Sequence, residues 1–464
     1  MIRSICFTLI LLLGFPISVS AQTNIKEEVN QLIDKYLPQS SEVGIAVYNL
    51  TTNQWVYKHQ GHKLSRPAST MKLITAIAAL TYDAEPFETS LWYKGEIKDE
   101  TLHGDLYIIG GLDPEFGNTK MDQLVTAVSA QGIKEIKGNI YGDISLKDSL
   151  YWGTGWGWDD NPNSYQPYIS PLMYNKGKVS VIAKPQAQGH KAKLILTPET
   201  SYYTLTNQTQ SKNPSAGKFK VTRKWLENKN DIIVKGNVDR YRVQEINMQN
   251  SGHYFLHVFC EKLSDNYITI NGGYQTTEST PTDAELICTI NTPIEEVLTA
   301  LLKDSDNLNG EAILVALAKR DKRKHIHAQD GVKYIEQLVT LIGDDPSKYR
   351  FADGCGLSSY NLISANLLVE LLKYSYRDNE IYDKILPALP VSGINGTLAY
   401  RMKNTPAFRK IKAKTGTINA ISTLAGYAEN SKGEILAFAI LNQNIIKSIH
   451  ARRFQDALCS LLCR

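Results

Sequence analysis

At 464 residues the chain is long for one domain, and its length favours two or three. Composition is that of a globular protein, 42% hydrophobic and 21% charged, and 51 basic against 47 acidic side chains leave a net charge of +4. That near balance, with no block of Lys and Arg interleaved with aromatics, gives no basis for a nucleic-acid partner.

The chain opens "MIRSICFTLILLLGFPISVSAQT", with Arg3, an apolar run from Ile5 to Ile17, and small Val19, Ser20 and Ala21 before Gln22. This pattern predicts a secretory leader over 1–21, cut after Ala21, with no lipid-acceptor cysteine at the cut. The apolar run is short for a stable span, and nothing later is longer. The expectation is therefore an exported, periplasmic protein, either free or resting on a membrane surface. Loss of Cys6 with the leader leaves Cys260, Cys288, Cys355, Cys459 and Cys463, an odd and sparse set that makes no disulfide framework. Cys459 and Cys463, four apart on an expected helix, read as a buried face rather than a redox pair.

Beyond the leader, Ile25, Val29, Leu32, Ile33 and Tyr36 recur at helical spacing. "VGIAVYNL", "TTNQ" and "WVYKHQ" then read as a strand, a turn and a strand. "STMKLITAIAAL" predicts a helix beginning near Ser69, anchored by Leu73, Ile74, Ile77 and Leu80. From about Glu85 to Ile290 come short β-like runs such as "KVSVIA", "AKLILT", "DIIVKG" and "YITING", with no nucleotide loop or repeat. "RKIKAKTGTI", "AISTLAGYAE" and "EILAFAILNQ" predict a meander, and the tail from Ser448 an amphipathic helix. The fold class that follows is α+β. An antiparallel sheet flanked by helices is built from 22–84 and 291–464 and interrupted by a β-rich insert, 85–290, of one or two subdomains.

Ser69 and Lys72, three apart at a helix N-terminus, share one face, so hydroxyl and amine can meet. A serine needs a base, and lysine serves only when neutral, a state that burial and nearby positive charge favour. The free amides and dipole of the helix start favour developing negative charge there. S-x-x-K alone equally describes a capped helix with a solvent lysine, and it recurs at Ser215–Lys218 in a polar Pro/Gly-rich stretch. Context separates the two. Downstream of Ser69 stand Ser305-Asp306-Asn307 and Lys414-Thr415-Gly416-Thr417, in the order S-x-x-K, S-D-N, K-T-G that marks β-lactamases and penicillin-binding proteins. A second S-D-N at Ser264 runs on through Tyr267, Ile268 and Ile270 as an expected strand. Ser305 instead precedes a helix (Leu308, Ala312, Ile313, Ala316, Leu317) whose cap suits a proton relay.

With "GDLYIIGGLDP", "GWGWDD", "DGCGLSSYNLISA" and "LPVSGINGTLAYRM", the trio resembles the class C low-molecular-mass penicillin-binding proteins, D-alanyl-D-alanine carboxypeptidase/endopeptidases of the penicillin-binding protein 4 type. About half the chain separates Ser69 from Ser305, which suits a class with domains inserted between the first two motifs. The resemblance implies Ser69 as the acylated nucleophile, Lys72 as its base, Ser305 as the relay to the leaving D-alanine and Asn307 as the holder of the substrate amide. It also implies Lys414 and Thr415 on the terminal carboxylate, with Gly416 and Thr417 lining the substrate strand and the amides of Ser69 and Thr417 as oxyanion hole. It implies peptidoglycan stem peptides as substrate, β-lactams as covalent inhibitors, and no cofactor or metal. Cys355 departs from the family's D-G-S-G and is read as a packing residue; Asp159 and Asp160 lie near the region from which, by the resemblance, an acidic residue of the insert reads the stem's diamino acid, a role not assigned to either of them.

Two other readings are weighed: a serine β-lactamase on the same catalytic domain, which the long insert disfavours, and a wall-binding protein with a decayed site, which the intact trio disfavours. His325 and His327 are read as a solvated strand or loop, because "KRDKRKHIHAQD" is too basic to invite a cation. Tyr151, Trp152, Trp156 and Trp158 read either as a ligand platform or as packing.

Overall fold

Strands from opposite ends of the chain meet in one sheet, and that sheet carries the site. The computed structural model describes residues 18–322 and 324–464, with side chains from Ile25 onward. The leader expected at 1–21 lies, through residue 17, outside the described residues; the first helix runs Ser18–Tyr36.

Glu42–Asn49 pairs with Gln54–His59 as the expected hairpin and along its full length with Ile435–Gln443. The antiparallel order is Ile411–Ile418, Ile421–Glu429, Ile435–Gln443, Glu42–Asn49, Gln54–His59. Side chains alternate between two cores, as a pleat requires. Ile45, Val47, Phe438 and Ile440 face Val29 of the first helix, Phe454, Leu458 and Cys459 of the last, Ser448–Leu462, and Cys463 at its C-cap. Both cysteines are buried, free thiols in that core. Ala46, Tyr48, Ala437 and Ala439 face the helical layer that contains Met71–Thr81, Asn307–Ala318, Ala328–Leu341 and Ala365–Arg377. Met71–Thr81 is buried on nearly every side, which explains its run of Leu, Ile and Ala. Each Ile or Leu so enclosed contributes about 1.5–3 kcal/mol over exposure.

The strand Ile411–Ile418 stands at the sheet edge. The segment Pro390–Val391 covers its start through an Ala413 to Pro390 bond and a Val391–Lys412 bridge. Lys414 and its successors lie beyond that cover.

Between the two halves, Phe87–Lys98 pairs with Glu285–Thr292, so the intervening chain leaves and returns side by side. It forms a seven-stranded sheet and two three-stranded sheets. The segment is β-rich as expected, and it also holds two helices that the sequence reading did not pick out, Asn118–Ala130 and Ser251–Asp265. The second is rich in Tyr, Phe, Val and His, residues of strand propensity, and only the burial of Tyr254, Phe255, Val258, Phe259 and Leu263 on one face exposes its period. The expected strand after Ser264 shrinks to Thr269–Ile270, because Asp265 ends that helix, Asn266 caps it and Tyr267 is left-handed. Among the described residues no helix is long and apolar enough to cross a membrane.

Candidate active site

The turn that presents Ser69 is pinned from several sides. Ala68–Thr70 forms a 3-10 turn leading into Met71–Thr81. Ala68 is left-handed at φ 47, a conformation that costs a non-glycine residue roughly 1–3 kcal/mol unless its surroundings enforce it. Thr70 Oγ1 and Thr423 Oγ1 both donate to the Pro67 carbonyl at 2.7 Å. Gly416 is required where the edge strand passes the serine: a Cβ there would sit 2.1 Å from Thr423 Oγ1 and 2.9 Å from Ser69 N. Gly356, at φ +81, abuts the Ala68 carbonyl from the other side.

Lys72 is fully buried beneath this turn. Its Nζ donates to Ser69 Oγ at 3.0 Å, Asn307 Oδ1 at 2.7 Å and the Cys355 carbonyl at 2.6 Å, which occupies all three ammonium donors. Burial pushes the Lys72 proton affinity down, opposed by its acidic neighbours Cys355, Asp353, Asp306 and Glu311. Lys414, also fully buried, donates to Ser305 Oγ at 2.8 Å and to the Thr415 carbonyl at 2.7 Å. Burial pushes its amine well below the lysine range, and the charge of Lys72 adds to the effect. Two buried amines of lowered proton affinity, each touching a serine hydroxyl, form an arrangement that could serve as base and proton conduit around one point.

Ser305, left-handed at φ 66, ends a π-helical turn (Ala300–Asp304), and Asp306 caps the next helix by accepting from Asn309 N. Asn307 Nδ2 donates to the Tyr165 carbonyl at 2.8 Å, so the inserted segment fixes its amide. A second tie runs through Lys176, paired with Glu115 at 2.6 Å and Asp306 at 3.3 Å. Burial alone would lower the Lys176 proton affinity, but the two carboxylates outweigh it and raise it.

The structure thus brings all eight expected residues together. Ser69, Ser305, Asn307 and Thr417 line a cleft of about 610 Å³, while Ser69, Ser305, Thr415, Gly416 and Thr417 line a second of about 600 Å³. The clefts meet at the serines, with Lys72 and Lys414 beneath. Ser215 and Lys218 are not brought there; Pro214–Ala216 is a 3-10 turn in the insert. Asp160, which accepts from Tyr165 OH at 2.9 Å, lines the first cleft.

Sequence reasoning missed the floor of the site. Asp353 is fully buried and accepts from Gly356 N, Ser358 N, Asn361 Nδ2 and Trp156 Nε1 at 2.6–3.0 Å. Trp156 is therefore a strut beneath the site, whereas Tyr151 and Trp152 pack on Tyr168 and Trp158 against Trp225. Glu311 Oε1 accepts from Gly354 N at 2.9 Å and Cys355 N at 3.1 Å, which aims the Cys355 carbonyl at Lys72. Glu311 Oε2 has no partner, and burial, helped by the charge of Asp353, pushes this carboxyl up to about 8. The signal was present as one acid in the apolar run "NLNGEAILVALA". Cys355 packs as expected, but its carbonyl also holds the lysine, and burial pushes its thiol well above the ordinary range. Glu311, Asp353 and Cys355 lie close enough to share an ion. Burial raises the proton affinity of both the Cys355 thiol and the Glu311 carboxyl, which works against a metal, whose ligands must be deprotonated. His327 Nδ1 faces Asp148 Oδ2 at 2.6 Å and its residue caps Ala328–Leu341, so it is occupied structurally.

The model of the D-Ala-D-Ala carboxypeptidase 3 (S13) family matches residues 25–464. The D-alanyl-D-alanine carboxypeptidase of Actinomadura sp. (strain R39) is 28% identical over 444 residues, covering 90% of this chain and 81% of that protein. The crystal structure of penicillin binding protein 4 (dacB) from Haemophilus influenzae superimposes with a TM-score of 0.82 at 24% identity, over 94% of this chain and 99% of that one. The same protein complexed with a novel β-lactam gives 0.75 at 23% identity, over the same shares.

Proposed function

The chain belongs to the D-Ala-D-Ala carboxypeptidase 3 (S13) family, and from that premise we propose a serine D-Ala-D-Ala carboxypeptidase, also acting as a DD-endopeptidase, that works on peptidoglycan stem peptides through an acyl-enzyme on Ser69. The observation that carries the reading is the fully buried Lys72 amine 3.0 Å from Ser69 Oγ. In its neutral form Lys72 takes the Ser69 proton as Oγ bonds to the carbonyl carbon of the penultimate D-alanine. The amides of Ser69 and Thr417 receive the oxyanion, each worth roughly 3 kcal/mol. Ser305, bonded to Lys414, passes a proton to the leaving nitrogen as the C–N bond breaks. Water then attacks the ester, and its proton returns through the same groups.

Thr415, with Lys414 once its amine has gained a proton, holds the leaving carboxylate, and the second N–H of the Asn307 amide, which Lys72 and the Tyr165 carbonyl fix in place, meets the substrate. Asp160, on the opposite side, offers a carboxylate to a cationic group of the stem. We read 22–84 and 291–464 as the catalytic unit and 85–290 as its insert, exported to the periplasm by the leader at 1–21. Cell fractionation of the tagged full chain checks the export.

The test is incubation of the mature protein and its Ser69→Ala variant with penicillin, followed by peptide mapping over time, beside a muropeptide digest. A lasting adduct on Ser69, absent from the variant, together with released D-alanine supports the peptidase. Rapid loss of the adduct would favour a β-lactamase, and no adduct would favour a wall-binding protein.

A further inference from the structure

A third cleft, of about 250 Å³, opens on the other side of the helix that begins at Asn307, with Trp152, Ile169, Glu311 and Val315 among its walls. None of its lining residues lines either cleft that meets at Ser69. Its charged groups are engaged with one another, with one exception. Lys147 Nζ donates to Asp148 Oδ1 and the Leu150 carbonyl, His327 Nδ1 faces Asp148 Oδ2 at 2.6 Å, and Lys333 Nζ donates to Asp330 Oδ1 at 3.2 Å. The exception is Glu311, which is 2% exposed. Its Oε1 accepts from the Gly354 and Cys355 amides, and its Oε2 has no partner among the described residues. Gly354 and Cys355 do not line the cleft, so the oxygen that the carboxyl leaves to it is Oε2. A buried acceptor without a partner costs about 1–3 kcal/mol, and a molecule in the cleft that donates to it recovers that cost.

The lining says which donor fits. Lys147 and Lys333 offset Asp148 and Asp330, so Glu311 is the carboxyl in excess and charge complementarity selects a cation. The size selects a small one, because sites for drug-sized ligands run from roughly 300 to 1,000 Å³. A calcium ion asks for about six or more oxygens, and the other two carboxylates are already held by lysine and histidine. An ammonium needs one strong acceptor and tolerates an apolar tail, for which Ile169 and Val315 provide a wall. Trp152, 40% exposed, adds an aromatic surface that attracts cations.

We propose that this cleft is a binding site for a small primary ammonium ion with a short apolar tail, its charge on Glu311 Oε2 and its tail between Trp152, Ile169 and Val315. The occupant is joined to the catalytic amine by two hydrogen bonds in series, Cys355 N to Glu311 Oε1 and Lys72 Nζ to the Cys355 carbonyl. On the catalytic side Glu311 senses Asp353, Cys355 and Lys72; on the other it shares the cleft with Lys147, Asp148, His327, Asp330 and Lys333. Burial and the charge of Asp353 push its carboxyl up to about 8, so an arriving ammonium displaces a proton below that pH.

Calorimetric titration of the mature enzyme with n-propylammonium chloride, in buffers of high and low ionisation enthalpy, reads affinity and proton release together. Penicillin titration of Ser69 counts the folded enzyme. Saturable binding is expected, with release of about one proton at pH ~7 and almost none at pH ~9. Glu311→Gln should weaken it about ten-fold or more, because its amide presents donors where the ammonium needs an acceptor. Trp152→Ala should weaken it about three-fold. Affinity left intact by Glu311→Gln overturns the proposal. So does n-propanol binding as tightly as the ammonium, which would make the cleft merely apolar, or wild-type enzyme giving no saturable heat beyond that of potassium chloride, which would leave the cleft to water. Should Glu311→Gln fail to titrate with penicillin, the propanol comparison and Trp152→Ala decide, and wild-type affinity in Trp152→Ala overturns the assignment to this cleft.

Discussion

Replacing Glu311 by Gln tests whether a neutral acid supports the lysine from below. The carboxyl is pushed from 4.5 up to about 8 by burial, with the charge of Asp353 adding to the effect. The folded protein therefore holds a proton that the unfolded chain has released, and stability from this group is full below about pH 4.5 and lost as pH rises through about 8. At about 1.36 kcal/mol per pH unit, the loss reaches roughly 3 kcal/mol at pH ~7 and levels off near 5 kcal/mol above pH ~8. Gln keeps the acceptor for Gly354 N and Cys355 N but cannot ionise, so the variant escapes this loss. Its amide at the position of the unpartnered Oε2 adds a cost of about 1–3 kcal/mol that does not vary with pH. The rear cleft of about 250 Å³ that Glu311 also lines has room for water to reduce that cost. Urea midpoints of both proteins at pH ~5, ~6.5 and ~8 should show Gln gaining on Glu at each step. Penicillin acylation at pH ~7 should stay within about three-fold, because the amide mimics the protonated acid. A midpoint difference constant across pH would refute the reasoning.

Burial lowers the proton affinity of Lys72 and Lys414, so the acylation rate should rise with pH as Lys72 loses its proton and reach its plateau below the ordinary lysine value of 10.5. A rising limb centred at that value in stopped-flow penicillin acylation would contradict it. Gly416→Ala should cost about 100-fold or more in acylation, because the new methyl meets Thr423 Oγ1 and Ser69 N; near-normal acylation would mean that the strand does not pass so close. Cys355 and Cys459 are fully buried with raised thiols, so iodoacetamide should leave them unlabelled in the native protein by mass mapping. Cys355→Ser should keep activity within about three-fold, since the Lys72 contact is to the carbonyl.

Much of the reacting centre is written locally. Ser69 and Lys72 meet because a helix places residues three apart on one face, and Ile411–Ile418 is a strand because its neighbours alternate and branch. The cap at Asp306 follows from a short polar residue ahead of an apolar helix. By the same logic the helix at 118–130 was legible, whereas the one at 251–265 shows its period only through burial. Met121, Leu124, Val125 and Val128 keep helical spacing, but β-favouring residues around them masked the period.

By itself the sequence determined the trio, its order, the central sheet and the helix that carries the nucleophile, since periodicity, capping and motif spacing are properties of neighbouring residues. Only the tertiary structure decided that Glu311 steers the Cys355 carbonyl onto Lys72, that Trp156 and Tyr165 reach in from the insert, and that Arg401 joins the loop after Thr397 to the last helix to wall a second cleft. It also decided that the two lysines have lowered proton affinity. Burial and charge at one atom sum over every group nearby in space, and here those groups come from segments hundreds of residues apart, such as Lys72 and Cys355; no local pattern records that sum.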